Sequence, residues 1–198
     1  SSLAGLAGYQ DARFTLTVLI QDRDDQLAVP AARALAYLGD REIYPNLYEF
    51  LASRNEKRGD AAVEAFTILG DANLIADLKA RVKEATPSET YRIMRILNNL
   101  SDPAGLVGLK AIFNDVPTIK PEVALILARQ GDFLAQQFLR ERLVRRENPT
   151  KPNLIYRARN AAALYKGGYP QAQSALQDLL AENDIEVKDA VYDELIDL

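Results

Sequence analysis

Leu38-Gly39-Asp40 is the first copy of a short motif that decides the fold. The motif returns as Leu69-Gly70-Asp71, Leu100-Ser101-Asp102 and Gln130-Gly131-Asp132. Its four aspartates lie 31, 31 and 30 residues apart (40 to 71, 71 to 102 and 102 to 132). An even spacing kept over four copies is typical of a repeat array, in which small units stack on one another.

The residues ahead of each motif repeat the apolar pattern of a helix. Apolar side chains recur nine, eight, six, five and two positions before each aspartate, which is the spacing of one helical face. The columns are Ala31/Ala62/Ile93/Val123, Ala32/Val63/Met94/Ala124, Ala34/Ala65/Ile96/Ile126, Leu35/Phe66/Leu97/Leu127 and Leu38/Leu69/Leu100/Gln130. This pattern predicts one buried stripe on the helix that precedes each motif.

The motif itself predicts a joint between two helices. Glycine suits the left-handed residue that closes a helix, and the aspartate after it suits the N-cap of the next one. An apolar residue also stands seven positions after each of these aspartates and after Asp11. These residues are Val18, Leu47, Leu78, Leu109 and Leu139. We therefore expect a helical hairpin in each repeat, with a first helix that follows the aspartate and a second helix that ends at the next motif.

Helix-breaking residues occur where this hairpin needs its loops. The predicted connections are 22–25, 53–59, 84–88, 114–120, 147–153 and 182–184. Gly167-Gly168 is interpreted as a looser fifth Gly-Asp, and a sixth pair of helices is expected from about Pro170 to Ala181 and from Ile185 to Leu198. The stretch from Leu3 to Asp11 is expected to be the tail of a preceding second helix, so we expect a processed protein or a piece of a longer one.

The length of the repeat favours one kind of helical array. Tetratricopeptide and ankyrin repeats run to about 34 and 33 residues and carry sequence patterns that are not found here. The stretch DQLAVPAARALAYLGD, residues 25–40, resembles the short HEAT-like repeat of the phycobilisome-lyase type. The resemblance is strong from about residue 25 to 132 and weaker beyond, with departures at Pro30, Ser101, Gln130 and Gly167-Gly168.

The resemblance implies an all-α fold. Together with the period of about 31 residues it predicts a single right-handed α-solenoid of about six hairpins over residues 1–198. Repeats of this type occur in bilin lyases and in many unrelated adaptor proteins. The resemblance therefore implies a fold and a way of binding, and leaves the activity open.

Composition excludes several classes of function. The net charge of −4 disfavours a nucleic-acid partner, which usually selects a strongly basic surface. The chain has no cysteine and no histidine, so the commonest metal ligands and the usual general base at neutral pH are absent from it. No apolar run approaches the ~18 residues of a membrane span. We expect no cofactor, no metal and no membrane span.

Second-helix positions outside the buried stripe are the candidates for partner binding. Other HEAT solenoids place their second helices on the concave wall, and the resemblance implies the same here. Arginine and tyrosine are enriched in binding hot spots. The candidate residues are Arg33, Tyr37, Glu64, Tyr91, Arg92, Arg95, Asn99, Arg129 and Arg157. The alternative is an ordinary solvated face whose charges pair within each helix.

Two further clusters have simpler explanations beside the functional ones. Arg142, Arg145 and Arg146 are candidates for contact with an acidic partner, or they complement the negative end of a helix. Asp22-Arg23-Asp24-Asp25 bunches three carboxylates, but it lacks the glycine and the distal glutamate of a calcium loop, and Asp25 is expected to cap a helix.

The leading hypothesis is a non-catalytic scaffold that binds a protein or peptide on its second-helix face. One alternative is a bilin lyase or a chromophore-handling chaperone for phycobiliproteins. Mixing the chain with bilin and apo-phycobiliprotein separates the two, because only the alternative predicts a covalent adduct. The other alternative is a structural spacer within a larger chain, which would bind nothing in a pull-down.

Overall fold

The computed structural model describes residues 12–143 and 150–196, and every regular element in these ranges is helical. A 3₁₀ turn, Arg41–Ile43, precedes the third helix. The helices are α1 (residues 12–19), α2 (Asp25–Tyr37), α3 (Tyr44–Ala52), α4 (Glu56–Leu69), α5 (Ala72–Arg81), α6 (Pro87–Asn99), α7 (Pro103–Asp115), α8 (Lys120–Arg129), α9 (Phe133–Arg140), α10 (Lys151–Lys166), α11 (Ala172–Leu180) and α12 (Ile185–Ile196). The protein is therefore all-α. The predicted helix within residues 3–11 lies outside the described residues.

The aspartates of the four motifs cap helices as predicted. Asp40 accepts a hydrogen bond from the Glu42 amide and opens the 3₁₀ turn that leads into α3. The other three accept from amides in the first turns of α5, α7 and α9, and they are Asp71, Asp102 and Asp132. Each carboxylate satisfies a helix N–H that has no partner within its own helix.

The helix ends before these caps share one hydrogen-bond pattern. Gly39 and Gly131 have φ angles of 73° and 80°, and Ser101 adopts the same left-handed region at 59°. The next amide bonds back across the helix end, as from Asp40 N–H to the Leu35 carbonyl at 3.0 Å. This is the six-to-one bond of a Schellman motif. Asp40 thus closes α2 with its backbone N–H and opens the next turn with its carboxylate.

Gly70 departs from this geometry. Its φ is −51°, so the prediction of a left-handed residue is wrong at this position. A Cβ on Gly70 would lie 2.3 Å from the Leu100 side chain. Glycine here leaves room for the Leu100 side chain at the end of α6.

The fifth joint lies one residue later than the sequence predicted, because Gly167 was expected to be the left-handed residue. The left-handed residue is Gly168, at φ 82°, and Tyr169 N–H bonds to the Leu164 carbonyl as Asp40 does to Leu35. Gly167 therefore stands where the other copies have Leu or Gln. A Cβ on Gly167 would lie 1.8 Å from the Ala128 carbonyl oxygen, so this glycine permits close contact with the end of α8.

Two helices, α4 and α10, begin inside the loops predicted before them. α4 begins at Glu56 because Asn55 accepts hydrogen bonds from the amides of Lys57 and Arg58, so Gly59 lies inside the helix. α10 begins at Lys151 with a proline in its first turn, a position that tolerates proline.

The predicted core columns are buried for the most part. The columns that begin at Ala31, Ala32 and Leu35 are buried in all four copies, and Leu47, Leu78, Leu109 and Leu139 are fully buried in the first helices. The prediction is wrong at Leu38, which is 40% exposed, at Gln130, which is also exposed, and at Val18, which is 56% exposed. In α1 the buried position is taken instead by Ile20, just after the helix.

The chain divides into two compact units, Ser1–Gly108 and Leu109–Leu198. Within the first unit, α2 packs on α4, α4 packs on α6, and α3 contacts both α4 and α6. Within the second unit, α10 packs on α8, α9, α11 and α12 around a core that includes Leu154, Leu176 and Val187. Second helices of successive hairpins are therefore neighbours inside each unit. No helix in the described ranges combines the length and apolar character that a bilayer-crossing segment needs.

Candidate functional site

A groove of about 440 Å³ lies over the second helices α2, α4 and α6 of the first unit. We call it the second-helix groove, and its lining residues are Arg33, Tyr37, Asp60, Val63, Glu64, Thr67, Ile68, Arg95 and Asn99. Five of these are residues that the sequence singled out: Arg33, Tyr37, Glu64, Arg95 and Asn99. The structure brings them to one surface.

The helical repeat explains why these side chains share a surface. Each helix contributes a pair spaced four residues apart, and positions i and i+4 lie on the same face of a helix. The pairs are Arg33 and Tyr37 on α2, Glu64 and Ile68 on α4, and Arg95 and Asn99 on α6. The groove thus has a charged row with Arg33, Glu64 and Arg95. One turn further along lies a second, uncharged row with Tyr37, Ile68 and Asn99.

The charged row is held by ion pairs that cross from helix to helix. Arg33 Nε lies 2.6 Å from the Glu64 carboxylate, which joins α2 to α4. A terminal guanidinium nitrogen of Arg95 lies 2.6 Å from the Asp60 carboxylate, which joins α4 to α6. These pairs connect different helices, whereas the alternative expected from the sequence was pairing within each helix.

Tyr91 supports the charged row from the side. The guanidinium of Arg95 lies over the Tyr91 ring, 5.4 Å from its centroid. A cation over an aromatic face is attracted by the ring quadrupole. Arg95 is therefore held both by Asp60 and by Tyr91, and its side chain is only 27% exposed. Tyr91 acts on the groove through Arg95 and is not one of its lining residues.

The second row presents apolar and amide surface to solvent. Tyr37 is 72% exposed and Ile68 is 38% exposed. Beside them, the Asn99 amide nitrogen lies 3.4 Å from the Thr67 hydroxyl oxygen, which in turn donates to the Val63 carbonyl. This row combines exposed apolar area with groups that both donate and accept hydrogen bonds.

Arg92 has a structural role instead of a place in the groove. Its side chain is buried, and one terminal nitrogen donates to the main-chain carbonyls of Leu51 at 2.7 Å and Ser53 at 2.5 Å. These carbonyls lie at the end of α3, where no intrahelical partner exists for them. Burial lowers the pKa of the guanidinium from its ordinary value. The expectation that Arg92 faces a partner does not fit this position, because its hydrogen bonds are made inside the fold.

Arg129 and Arg157 are also engaged by their own unit. Arg129 pairs with Glu194 of α12, and Arg159 lies 3.7 Å from the same carboxylate. Arg157 is buried and donates from Nε to the Leu143 carbonyl at 2.9 Å. The sequence placed both among partner-binding residues, and the structure gives each an internal partner.

Of the predicted acidic-partner contact, only Arg142 lies in the described residues; Arg145 and Arg146 lie outside them. The Arg142 guanidinium lies 3.5 Å from the centroid of the Phe138 ring, and it donates to the Phe138 carbonyl at 2.9 Å. Its position after α9 satisfies a carbonyl of the last turn, in agreement with the simpler explanation.

The carboxylates of Asp22, Asp24 and Asp25 organise the start of α2. Asp24 is the N-cap and accepts from the Gln26 amide, so the prediction of Asp25 as cap is wrong by one residue. Asp25 instead pairs with Arg58 Nε at 2.6 Å. In residues 12–143 and 150–196, no group of three or more acidic side chains is arranged to hold a metal ion.

Four lining residues were not among the candidates for partner binding. Val63 was expected in the buried stripe, and Ile68 shares the repeat position of Tyr37 and Asn99. The other two, Asp60 and Thr67, were not predicted from the sequence. Asp60 lies one helical turn before Glu64 on the same face of α4, and that spacing is a signal that could have found it. Thr67 lies next to Ile68, and only the packing of α4 against α6 brings it beside Asn99.

Comparison with known proteins adds no relative. No protein-family model matches the chain, and no curated protein matches it significantly. We therefore infer a function from the residues and geometry of the chain itself.

Proposed function

We propose that this chain is a non-catalytic interaction scaffold that binds a segment of a protein partner in the second-helix groove. The observation that carries the proposal is the convergence of Arg33, Tyr37, Glu64, Arg95 and Asn99 on one open surface formed by α2, α4 and α6. Tyrosine and arginine are the residue types most enriched in hot spots.

The scaffold is proposed to be a HEAT-like right-handed solenoid of about six hairpins. The recurring joints support this architecture, and so does the packing of each second helix on the next inside each unit. A hairpin of about 31 residues cannot bury both of its faces alone, so hairpins stack, and adjoining second helices form a continuous surface. Extended surfaces of this kind are how repeat proteins bind their partners.

A second line of support is the exposed tyrosine. Tyr37 keeps 72% of its surface in contact with solvent although it lies beside apolar Val63 and Ile68. Tyrosine offers a large apolar face with a polar tip at a low cost in conformational entropy. An exposed tyrosine over such a groove fits contact with another protein segment.

Site-specific crosslinking tests the proposal directly. A photo-crosslinking amino acid replaces Tyr37 in one variant and Phe14 in the matched control, because both side chains are 72% exposed and Phe14 does not line the groove. We expect one protein to crosslink through position 37 and not through position 14. The crosslinked peptide is then mapped by mass spectrometry.

Binding of the purified partner supplies the decisive measurement. Tyr37→Ala combined with Ile68→Ser is expected to weaken binding by about tenfold or more, as loss of a hot spot does. The melting temperature should stay close to that of the parent chain, because both side chains are exposed. Equal crosslinking from both positions, or unchanged affinity in the double variant, would contradict the proposal.

A further inference from the structure

The charges of the second-helix groove neutralise one another. Its two arginines, Arg33 and Arg95, are bound to its two carboxylates, Glu64 and Asp60, at 2.6 Å in both pairs. The groove therefore carries two positive and two negative charges and has no net charge. A surface without net charge gives no electrostatic preference to an acidic or a basic partner.

From this geometry we infer that the groove takes an uncharged, apolar-bearing segment of extended chain, and that its charged row is a frame and not a set of ligand contacts. The inference rests on the proposed function and specifies the chemistry of the partner. A partner carboxylate would meet arginines whose charge is already neutralised by Glu64 and Asp60, so it would gain little net attraction. Exchange of one ion pair for another yields little, while desolvation of the incoming charge is unfavourable.

The uncharged row supplies what such a segment can use. Tyr37 and Ile68 expose apolar surface, which favours aliphatic or aromatic side chains. Asn99 and Thr67 stand beside them with an amide and a hydroxyl. Each residue of an extended chain carries one N–H and one C=O that need partners when water is removed, and an amide side chain can satisfy either group.

The dimensions of the groove set the length of the segment. Packed helices lie roughly 8–10 Å apart, so the path from α2 over α4 to α6 is about 16–20 Å. An extended chain advances about 3.3 Å per residue. The groove therefore fits a segment of about five or six residues that runs across the three second helices.

Selection of random peptides displayed on phage, with the full chain as bait, tests this chemistry. We expect the enriched peptides to carry aliphatic or aromatic residues in an uncharged stretch. Affinity of a synthetic peptide from the enriched set is expected to change by less than about threefold between low and high salt, because screening acts on charges that the contact does not use.

Charge reversal within one pair supplies the matched control. The double variant Arg33→Glu with Glu64→Arg keeps an ion pair in opposite orientation, and we expect it to bind the same peptide within about threefold of the parent chain. The single variant Arg33→Glu removes the ion pair that joins α2 to α4 and sets two carboxylates side by side, so the groove loses its frame, and it is expected to bind about tenfold more weakly. Restoration by the second substitution identifies the pair as a frame.

The possible outcomes separate the inference from the proposed function. Enrichment of acidic or basic peptides, or loss of binding in the reversed pair, overturns the inference while the interaction scaffold stands. Absence of any enriched peptide on the parent chain contradicts the proposed function, and the inference falls with it. If the enriched peptides bind the variant Tyr37→Ala with Ile68→Ser at unchanged affinity, they bind outside the groove. That result overturns both the inference and the proposed function.

Discussion

Arg92 is a buried arginine that connects two neighbouring hairpins. Its guanidinium crosses from α6 to the end of α3 and satisfies the carbonyls of Leu51 and Ser53. Space for it is provided by Gly59 in α4, where a Cβ would lie 2.2 Å from the guanidinium carbon. The glycine and the arginine therefore form one structural unit.

This pairing predicts a reversal of sign in a double-mutant cycle. Glycine to alanine inside a helix normally stabilises by roughly 0.5–1 kcal/mol. Gly59→Ala should instead destabilise the parent chain, because the guanidinium is buried and held by two hydrogen bonds. In an Arg92→Ala background, the same substitution should stabilise. Urea unfolding of the four proteins measures the cycle, and stabilisation by Gly59→Ala alone would contradict it.

At the scale of the element, four of the five joints between hairpins depend on one left-handed residue, and the joint at Gly70 does not. Gly39 and Gly131 supply it without strain, but the third joint uses Ser101, with φ 59°. A residue with a Cβ pays roughly 1 kcal/mol for this conformation. The third joint is therefore the least favourable of the left-handed joints in the described residues.

Reciprocal substitutions test the joint. Ser101→Gly is expected to stabilise the chain by roughly 0.5–1 kcal/mol, and Gly39→Ala is expected to destabilise it by about 1 kcal/mol. Gly39 is a clean control, because a Cβ there would meet no atom within 4 Å and only the φ angle is changed. Both effects are read as shifts in the urea midpoint. Equal midpoints for all three proteins would exclude left-handed strain as the cause.

A second device at this scale connects hairpins through arginine. In α4, Arg58 donates to the main-chain carbonyls of Asp22 at 2.7 Å and Arg23 at 3.0 Å. Arg92 of α6 does the same for Leu51 and Ser53 one hairpin later. In both cases a second helix binds the loop region of the preceding hairpin, which fixes neighbouring hairpins by more than apolar contact.

At the scale of the whole molecule, two of the motif aspartates, Asp40 and Asp102, make stability depend on pH. The hydrogen bond from Arg13 lowers the pKa of Asp40 against the opposing effect of burial, and the hydrogen bond from Lys79 lowers the pKa of Asp102. A carboxylate whose pKa is lower in the folded state than the unfolded value of about 3.9 stabilises the fold above that value. Its contribution is lost as the pH falls through the folded pKa.

We therefore expect the melting temperature to hold near neutral pH and to fall as the pH drops below about 5. In Asp40→Asn with Asp102→Asn, asparagine still caps the helices, but the titrating groups are gone. The melting temperature of this variant should be lower at neutral pH and should depend less on pH in the acidic range. Thermal unfolding followed by circular dichroism checks both, and parallel curves for the two proteins would contradict the prediction.

Much of the local structure of this chain follows from short-range physics, and the sequence predicted most of it, with errors at the starts of α4 and α10, at the N-cap of α2 and at Gly70. Helix bounds, the caps at the motif aspartates and most of the buried columns depend on residues within one or two turns of each other. The same locality explains why the five groove residues from α2, α4 and α6 were found, since periodicity places them on one helical face. That they bind a partner stays a prediction.

The tertiary structure decided what depends on contacts between distant residues. Gly70 and Gly167 leave room for Leu100 and for the Ala128 carbonyl. Three arginines predicted to bind a partner instead contact carbonyls or a carboxylate from elsewhere in their own unit, and they are Arg92, Arg129 and Arg157. Pairing of Arg33 with Glu64 and of Arg95 with Asp60 likewise appears only when second helices pack side by side. Helical periodicity determines which face a side chain occupies, whereas the atoms that meet that face come from residues 14 to 65 positions away, and only packing brings them together.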